Sequence, residues 1–218
     1  AAEATHRVGR LLTEASIVND DARLELARET MARADLLAEI ALYQPDGKLL
    51  DAIHRVGVTA PKAPAAVPAT APKPEQKGMW LAPERGAEGT VVRFLEPVFR
   101  EGQLRVWVLG TLRPDGLAEQ LREISRDRFE GRADGVLLLD ALGLPIAGGD
   151  GSPMFGHDLF THAQLPPNPF SKPFALATEF VASSGEPMLG SARSLPSRGW
   201  AIVVRRPASA VYAALAVS

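Results

Sequence analysis

"GVLLLDALGLPIAGG", residues 135–149, holds two short apolar runs on either side of Leu142-Gly143, and the chain carries a version of the same stretch earlier. Aligned on Gly47 and Gly143, 96 positions apart, "EIALYQPDGKLLDAI" (39–53) has the same apolar run, the same turn and the same second run. A second landmark agrees: Gly102, in the turn between "TVVRFLEPVF" and "LRVWVLGTL", corresponds to Gly199, in the turn before "WAIVVRRP", at an offset of 97. Two glycine pairs at offsets that differ by a single residue indicate a duplicated module. A period of this length exceeds the roughly 20 to 50 residues of solenoid repeats and suits tandem domains of about 100 residues each.

Outward from the turns, the elements follow from local chemistry. Val8, Leu11, Ala15, Val18 and Ala22 recur at spacings of three and four, and Leu24, Ala27, Met31 and Ala34 continue on a shifted phase after "NDD" (19–21), so the opening residues are expected to be helical. This stripe can pack on its own domain or serve as a dimer seam. Pro45-Asp46-Gly47 predicts a hairpin turn, because proline presets the backbone and glycine accepts positive φ. The Pro, Ala and Lys-rich stretch 57–77 is expected to be an exposed loop. Residues 90–99 and 104–112 form two further strands, and Leu117, Leu121 and Ile124 mark a helix starting near Asp115. After the second hairpin comes an irregular stretch containing Pro166, Pro167, Pro169 and Pro173. "EPMLGSARSL" and "WAIVVRRP" follow as strands, and a helix starts at Pro207.

The resulting fold class is α+β: a long N-terminal helix, two tandem modules with antiparallel sheets, and a C-terminal exit helix. The segments are residues 1–38 (helical), 39–130 (first module with its connecting helix), 131–206 (second module) and 207–218 (exit helix).

Composition narrows the function. A net charge of -2 with 23% charged residues gives no basic footprint for nucleic acid, and the absence of cysteine excludes thiolate chemistry and disulfides. No apolar run approaches the roughly 20 residues of a membrane span. The chain lacks an initiator Met and starts and stops in helix-like sequence, from which we expect both ends to continue in a longer parent protein.

Taken in order, "ALYQPDGKLL", "VLLLDALGLPIA" and "GWAIVVRRPASAVYAAL" resemble the double Cache sensor domain, over essentially the whole chain. The resemblance implies two PAS-like modules along one helix, in the periplasmic part of a bacterial inner-membrane receptor. Transmembrane helices outside the fragment would lead to a chemoreceptor, histidine kinase or cyclase output. It further implies a small-molecule ligand in the membrane-distal first module and a homodimer through the N-terminal helix. The Arg, Trp-Tyr pair and Asp of amino-acid-binding members are not matched by "GMWLAPERG" or "WVLGTLRPDG", and Leu112 stands near the place of the Asp, which argues against amino-acid sensing; the short covering segment suggests a smaller ligand, such as an organic acid, or none bound directly. The alternative is a structural or protein-interaction module that senses through a binding protein or dimer partner.

For a small carboxylate the natural partner is a fixed arginine with an aromatic or apolar wall. Arg93 interrupts an apolar strand; an exposed or carboxylate-paired arginine is the alternative reading. Trp80 follows the loop and is placed to close a pocket, while Tyr43 and Trp107 lie on strands, where core packing is the competing role. His157, Asp158 and His162 are too poorly spaced to predict a metal site, and no cofactor is expected. Asp46 and Asp140 are turn residues. "GGDG" (148–151) lacks any catalytic scaffold, and no nucleophile with its base or phosphate loop is present, so no enzyme activity is expected.

Overall fold

The computed structural model describes residues 28–29, 31–58, 62–68, 78–86, 89–129, 136–148, 169–182 and 184–215. The chain divides into two compact units, Ala1–Gly116 and Leu117–Ser218. Most of the expected N-terminal helix lies outside the described residues; 28, 29 and 31–33 are helical, and the expected bound at residue 38 is too late, because a strand begins at Leu37. The His157, Asp158 and His162 group also lies outside them.

In the first unit, β1 (Leu37–Tyr43) and β2 (Leu49–His54) form the first hairpin. Then come β3 (Met79–Trp80), β4 (Glu84–Gly86), β5 (Gly89–Val91), β6 (Arg93–Arg100) and β7 (Gln103–Leu112). The main sheet runs β2-β1-β7-β6-β3, antiparallel throughout, while β4 and β5 pair separately. The run expected as one strand over 90–99 therefore breaks at Val92, its first part serving the small hairpin and its second the main sheet. β6 and β7 join at Glu101-Gly102, both with positive φ (53° and 75°), the backbone that matches a two-residue turn to the twist of the strands.

The division between units falls in the first turn of α1 (Pro114–Phe129). On this helix Leu121 and Ser125, four apart, are buried, whereas Ile124, expected in the seam, is 51% exposed. The second unit continues with β8 (Val136–Leu139), β9 (Pro145–Gly148), a 3-10 turn at Pro169–Ser171, β10 (Ala175–Val181), β11 (Pro187–Leu195), β12 (Trp200–Pro207) and α2 (Ala208–Leu215). Its antiparallel sheet runs β10-β11-β12-β8-β9. The alternating "ALATEFV" of β10 is a strand that the sequence reading leaves inside an irregular stretch.

Read from the edge, both sheets place the second hairpin strand first, then the first hairpin strand, the last strand of the unit, the one before it, and the remaining strand. The glycines that revealed the repeat occupy matching turns with matching backbones: Gly47 and Gly143 have φ of 86° and 77°, Gly102 and Gly199 of 75° and 65°. Each unit has an apolar cluster on one sheet face, built on Ala41, Tyr43, Leu95, Trp107 and Leu109 in the first and on Leu137, Leu139, Phe170, Phe180 and Val203 in the second.

Two anchors fix the N-terminal part of the first unit. The Arg55 guanidinium, directly after β2, donates from Nε to Leu37 O (2.8 Å) and from Nη2 to Ala34 O (2.8 Å) and Met31 O, tying the turn that leads from residues 31–33 into β1 to the end of β2. Arg113 grips Asp115 through both Nε and Nη2 at the start of α1, which holds that carboxyl below its usual range.

Candidate functional site

Antiparallel registers put side chains of paired residues on one face, so the first sheet can be read row by row. Tyr43, Trp107 and Pro97 form one row; Ala41, Leu109 and Leu95 the next; Glu39, Thr111 and Arg93 the third, with His54 beyond Glu39 on β2. Two rows are apolar or aromatic. The third is polar, and all three of its central residues are buried: Glu39 0%, Thr111 0% and Arg93 3% exposed.

This face is covered by residues 62–67, part of the stretch expected to be an exposed loop. Val67 is buried and Ala63 and Pro64 are half-buried. Three successive residues of the covering segment are held by three side chains of the face. Arg93 Nη2 donates to Lys62 O (3.4 Å), Ala63 N donates to Glu39 Oε2 (3.3 Å), and the Tyr43 hydroxyl donates to Pro64 O (2.9 Å). Further along, Val67 N donates to Gly47 O (2.9 Å), tying the segment to the first turn.

The polar row is internally paired but incompletely so. Glu39 Oε2 lies 2.9 Å from His54 Nδ1, and Arg93 Nη1 meets Glu84 on β4 at 2.5 Å. Burial pushes the Glu39 carboxyl above its usual range, against the pull of His54, Ala63 N–H, Arg93 and Thr111. The Thr111 hydroxyl stands beside that carboxylate and favours its charge, yet makes no hydrogen bond of ordinary geometry. Burial, then the Glu39 charge, raise Tyr43 to about 12, with Arg93 opposing, so its hydroxyl is a neutral donor at physiological pH. Among the described residues, four buried side-chain atoms find no partner: Glu39 Oε1, Arg93 Nε, Trp107 Nε1 and Thr111 Oγ1. All four belong to this face of the first unit. A buried polar atom left unsatisfied costs about 1–3 kcal/mol, which a water or a ligand that meets it offsets.

Of the residues singled out from sequence, Arg93, Tyr43 and Trp107 share this face; Trp80 does not. Trp80 pairs with Phe94, which alternation turns away from Arg93, and their rings pack at 5.0 Å on the opposite side of the sheet. Arg93 is not a free cation either, since Glu84 already occupies Nη1. Glu39, Thr111, His54 and Glu84 complete the site and were not selected from sequence. Among the described residues no cluster of potential metal ligands occurs.

The second unit has a concavity of about 540 Å³ between the other face of β10–β12 and α2, lined largely by apolar groups such as Ala177, Leu189, Val204 and Val211. Its Glu179 is engaged by the Tyr212 hydroxyl at 3.3 Å.

The two sheets, each in the same strand order and each with one covered face, have the fold of tandem-module extracellular sensor domains. The extracellular domain of the histidine kinase soHK1S-Z6 superposes with a TM-score of 0.62 at 17% identity, covering 98% of this chain and 88% of that one. The ligand-binding domain of the Campylobacter jejuni chemoreceptor Tlp3, in complex with 4-methylisoleucine, gives 0.63 at 10% identity, covering 96% and 83%. That of the Pseudomonas fluorescens chemoreceptor CtaA, in complex with L-serine, gives 0.62 at 14% identity, covering 95% and 88%. No protein-family model and no curated protein sequence matches the chain. No described helix is long and apolar enough to cross a membrane.

Proposed function

We propose that this chain is the extracytoplasmic ligand-binding domain of a bacterial transmembrane receptor, a chemoreceptor or sensor kinase, and that it binds a small polar molecule in the first, membrane-distal unit. The observation that carries this reading is the set of four unpartnered buried atoms, gathered on one covered face of one unit. That face offers donors from Arg93 Nε, Trp107 Nε1 and Thr111, an acceptor from Glu39 Oε1, and an aromatic wall from Tyr43 and Trp107. The likeness in fold to chemoreceptor domains that hold 4-methylisoleucine and L-serine supports a ligand of similar size. The domain binds and does not react. Transmembrane helices outside this chain anchor it in the receptor, which works as a homodimer.

Coupling follows from the covering segment. The same side chains, Glu39, Arg93 and Tyr43, hold residues 62–64 and face the ligand, so an occupant that favours one position of the segment shifts its population. A thermal-shift panel of amino acids, organic acids and amines tests the reading. A ligand raises the melting midpoint with concentration by linkage, and Arg93→Ala is expected to remove the response. A flat response across the panel favours a protein partner as the stimulus.

A further inference from the structure

The charges on the polar row decide which class of molecule fits it. Four charged or chargeable groups meet there: Glu39 on β1, His54 on β2, Arg93 on β6 and Glu84 on β4. Glu84 sits on Arg93 Nη1, so the guanidinium charge is matched before any ligand arrives. Glu39 shares Oε2 between His54 and Ala63 N and keeps Oε1 buried and unpartnered. The fixed charges at the site, the Glu39 and Glu84 carboxylates and the Arg93 guanidinium, sum to minus one, and the His54 imidazole sits on Glu39 Oε2 and leaves Oε1 open. A carboxylate ligand adds a second uncompensated negative charge in a place shielded from water, whereas an ammonium cancels the first. The remaining unpartnered groups, Arg93 Nε, Trp107 Nε1 and the Thr111 hydroxyl, are donors that suit a neutral oxygen rather than a second ammonium.

Resting on the reading of this face as the ligand site, we infer that the first unit takes a small organic ammonium bearing a hydroxyl or carbonyl oxygen. Its ammonium meets Glu39 Oε1, and Glu39 is the residue that sets specificity. An organic acid, the ligand expected from sequence, fits this charge arrangement poorly. Binding carries a pH signature. Glu39 must be charged to hold an ammonium, and the groups facing it (His54, Arg93, Thr111, Tyr43 and the Ala63 amide) leave its carboxyl above the usual range. Affinity therefore falls as pH falls.

Ethanolamine and lactate make a matched pair of probes, similar in size, each with a hydroxyl, and opposite in charge. Titrated against the whole chain, ethanolamine is expected to raise the melting midpoint and lactate to leave it unchanged. Glu39→Gln, which preserves shape and removes the charge, is expected to weaken ethanolamine by about tenfold or more. The wild-type protein gives an independent measure by calorimetry: ethanolamine binds more weakly at about pH 4, below the ordinary carboxylate value, than at about pH 7. Lactate or another panel member shifting the midpoint while ethanolamine does not overturns the ammonium class and leaves the sensor reading standing. Silence across the whole panel removes both. Wild-type affinity in Glu39→Gln, or affinity unchanged at the lower pH, removes Glu39 from the site.

Discussion

The two sheets share a strand order and two pairs of left-handed turn glycines, yet they differ in how they treat polar atoms on the covered face. In the second unit the rows Leu139–Ala201–Ser194 and Leu137–Val203–Ala192 cross the sheet, and their one polar side chain is fully used. Ser194 Oγ accepts from Phe174 N at 2.8 Å and donates to Lys172 O at 2.9 Å. Buried Asp140 is likewise engaged, its Oδ1 accepting from Leu142 N and Leu144 N, both at 2.9 Å. In the first unit two comparable rows give way to a third, Glu39–Thr111–Arg93, with buried atoms that the protein does not satisfy. Among the described residues, the buried polar atoms of these rows in the second unit are satisfied, whereas the first unit keeps unmet hydrogen-bonding capacity under its cover. Duplication lets the two requirements separate, because one unit's packing need not accommodate the other's polar row.

The contrast can be broken most strongly in the second unit. Phe180→Ala removes a side chain that is 2% exposed in its core and is expected to cost about 3–5 kcal/mol, read by urea denaturation with hydrogen exchange assigning the loss to strands β8–β12. Loss of protection spread equally over β1–β7 would contradict the division into two units. Asp140→Ala should cost about 2 kcal/mol by orphaning two backbone amides of the second hairpin turn, measured in the same way. A change at the level of error would mean that the turn holds without its acceptor.

The smallest effect sharpens the first unit. The folded-state pKa of Glu39 is raised, so the folded protein binds this proton more tightly than the unfolded chain does. Its contribution to stability is greatest below the ordinary carboxylate value of about 4.5 and is lost as pH rises through the raised value. Glu39→Gln is expected to flatten this part of the pH dependence of the melting midpoint. A wild-type midpoint that climbs with pH in this window, by an amount the variant abolishes, would reverse the sign assigned to Glu39.

What the sequence disclosed and what it concealed have separate physical origins. The turns were legible because positive φ needs glycine: Gly47, Gly102, Gly143 and Gly199 announce the repeat in one letter each. Glu39 was hidden because β1 lies inside its sheet and is buried along both faces, so the alternation of "LAEIALY" does not mark a solvent side. Glu84 stands on a three-residue strand too short to show periodicity, and its tie to Arg93 crosses sheets. Trp80 was misplaced for a related reason: the face that a two-residue strand presents is set by its pairing with Phe94, which no local pattern encodes. The segment 62–67 reads as solvent-exposed by composition, and it packs because Val67 and three backbone contacts from distant strands hold it.

Arg55 gives the first unit an unusual piece of wiring. His54 and Arg55 are neighbours in sequence, and one reaches the Glu39 carboxylate while the other clasps the carbonyls of Met31, Ala34 and Leu37. A slip of β2 by a single residue would exchange the directions of these two side chains and break both attachments together. The edge strand thus works as a tie rod between the acid on the neighbouring strand and the turn that precedes it, able to transmit a displacement but not to absorb it.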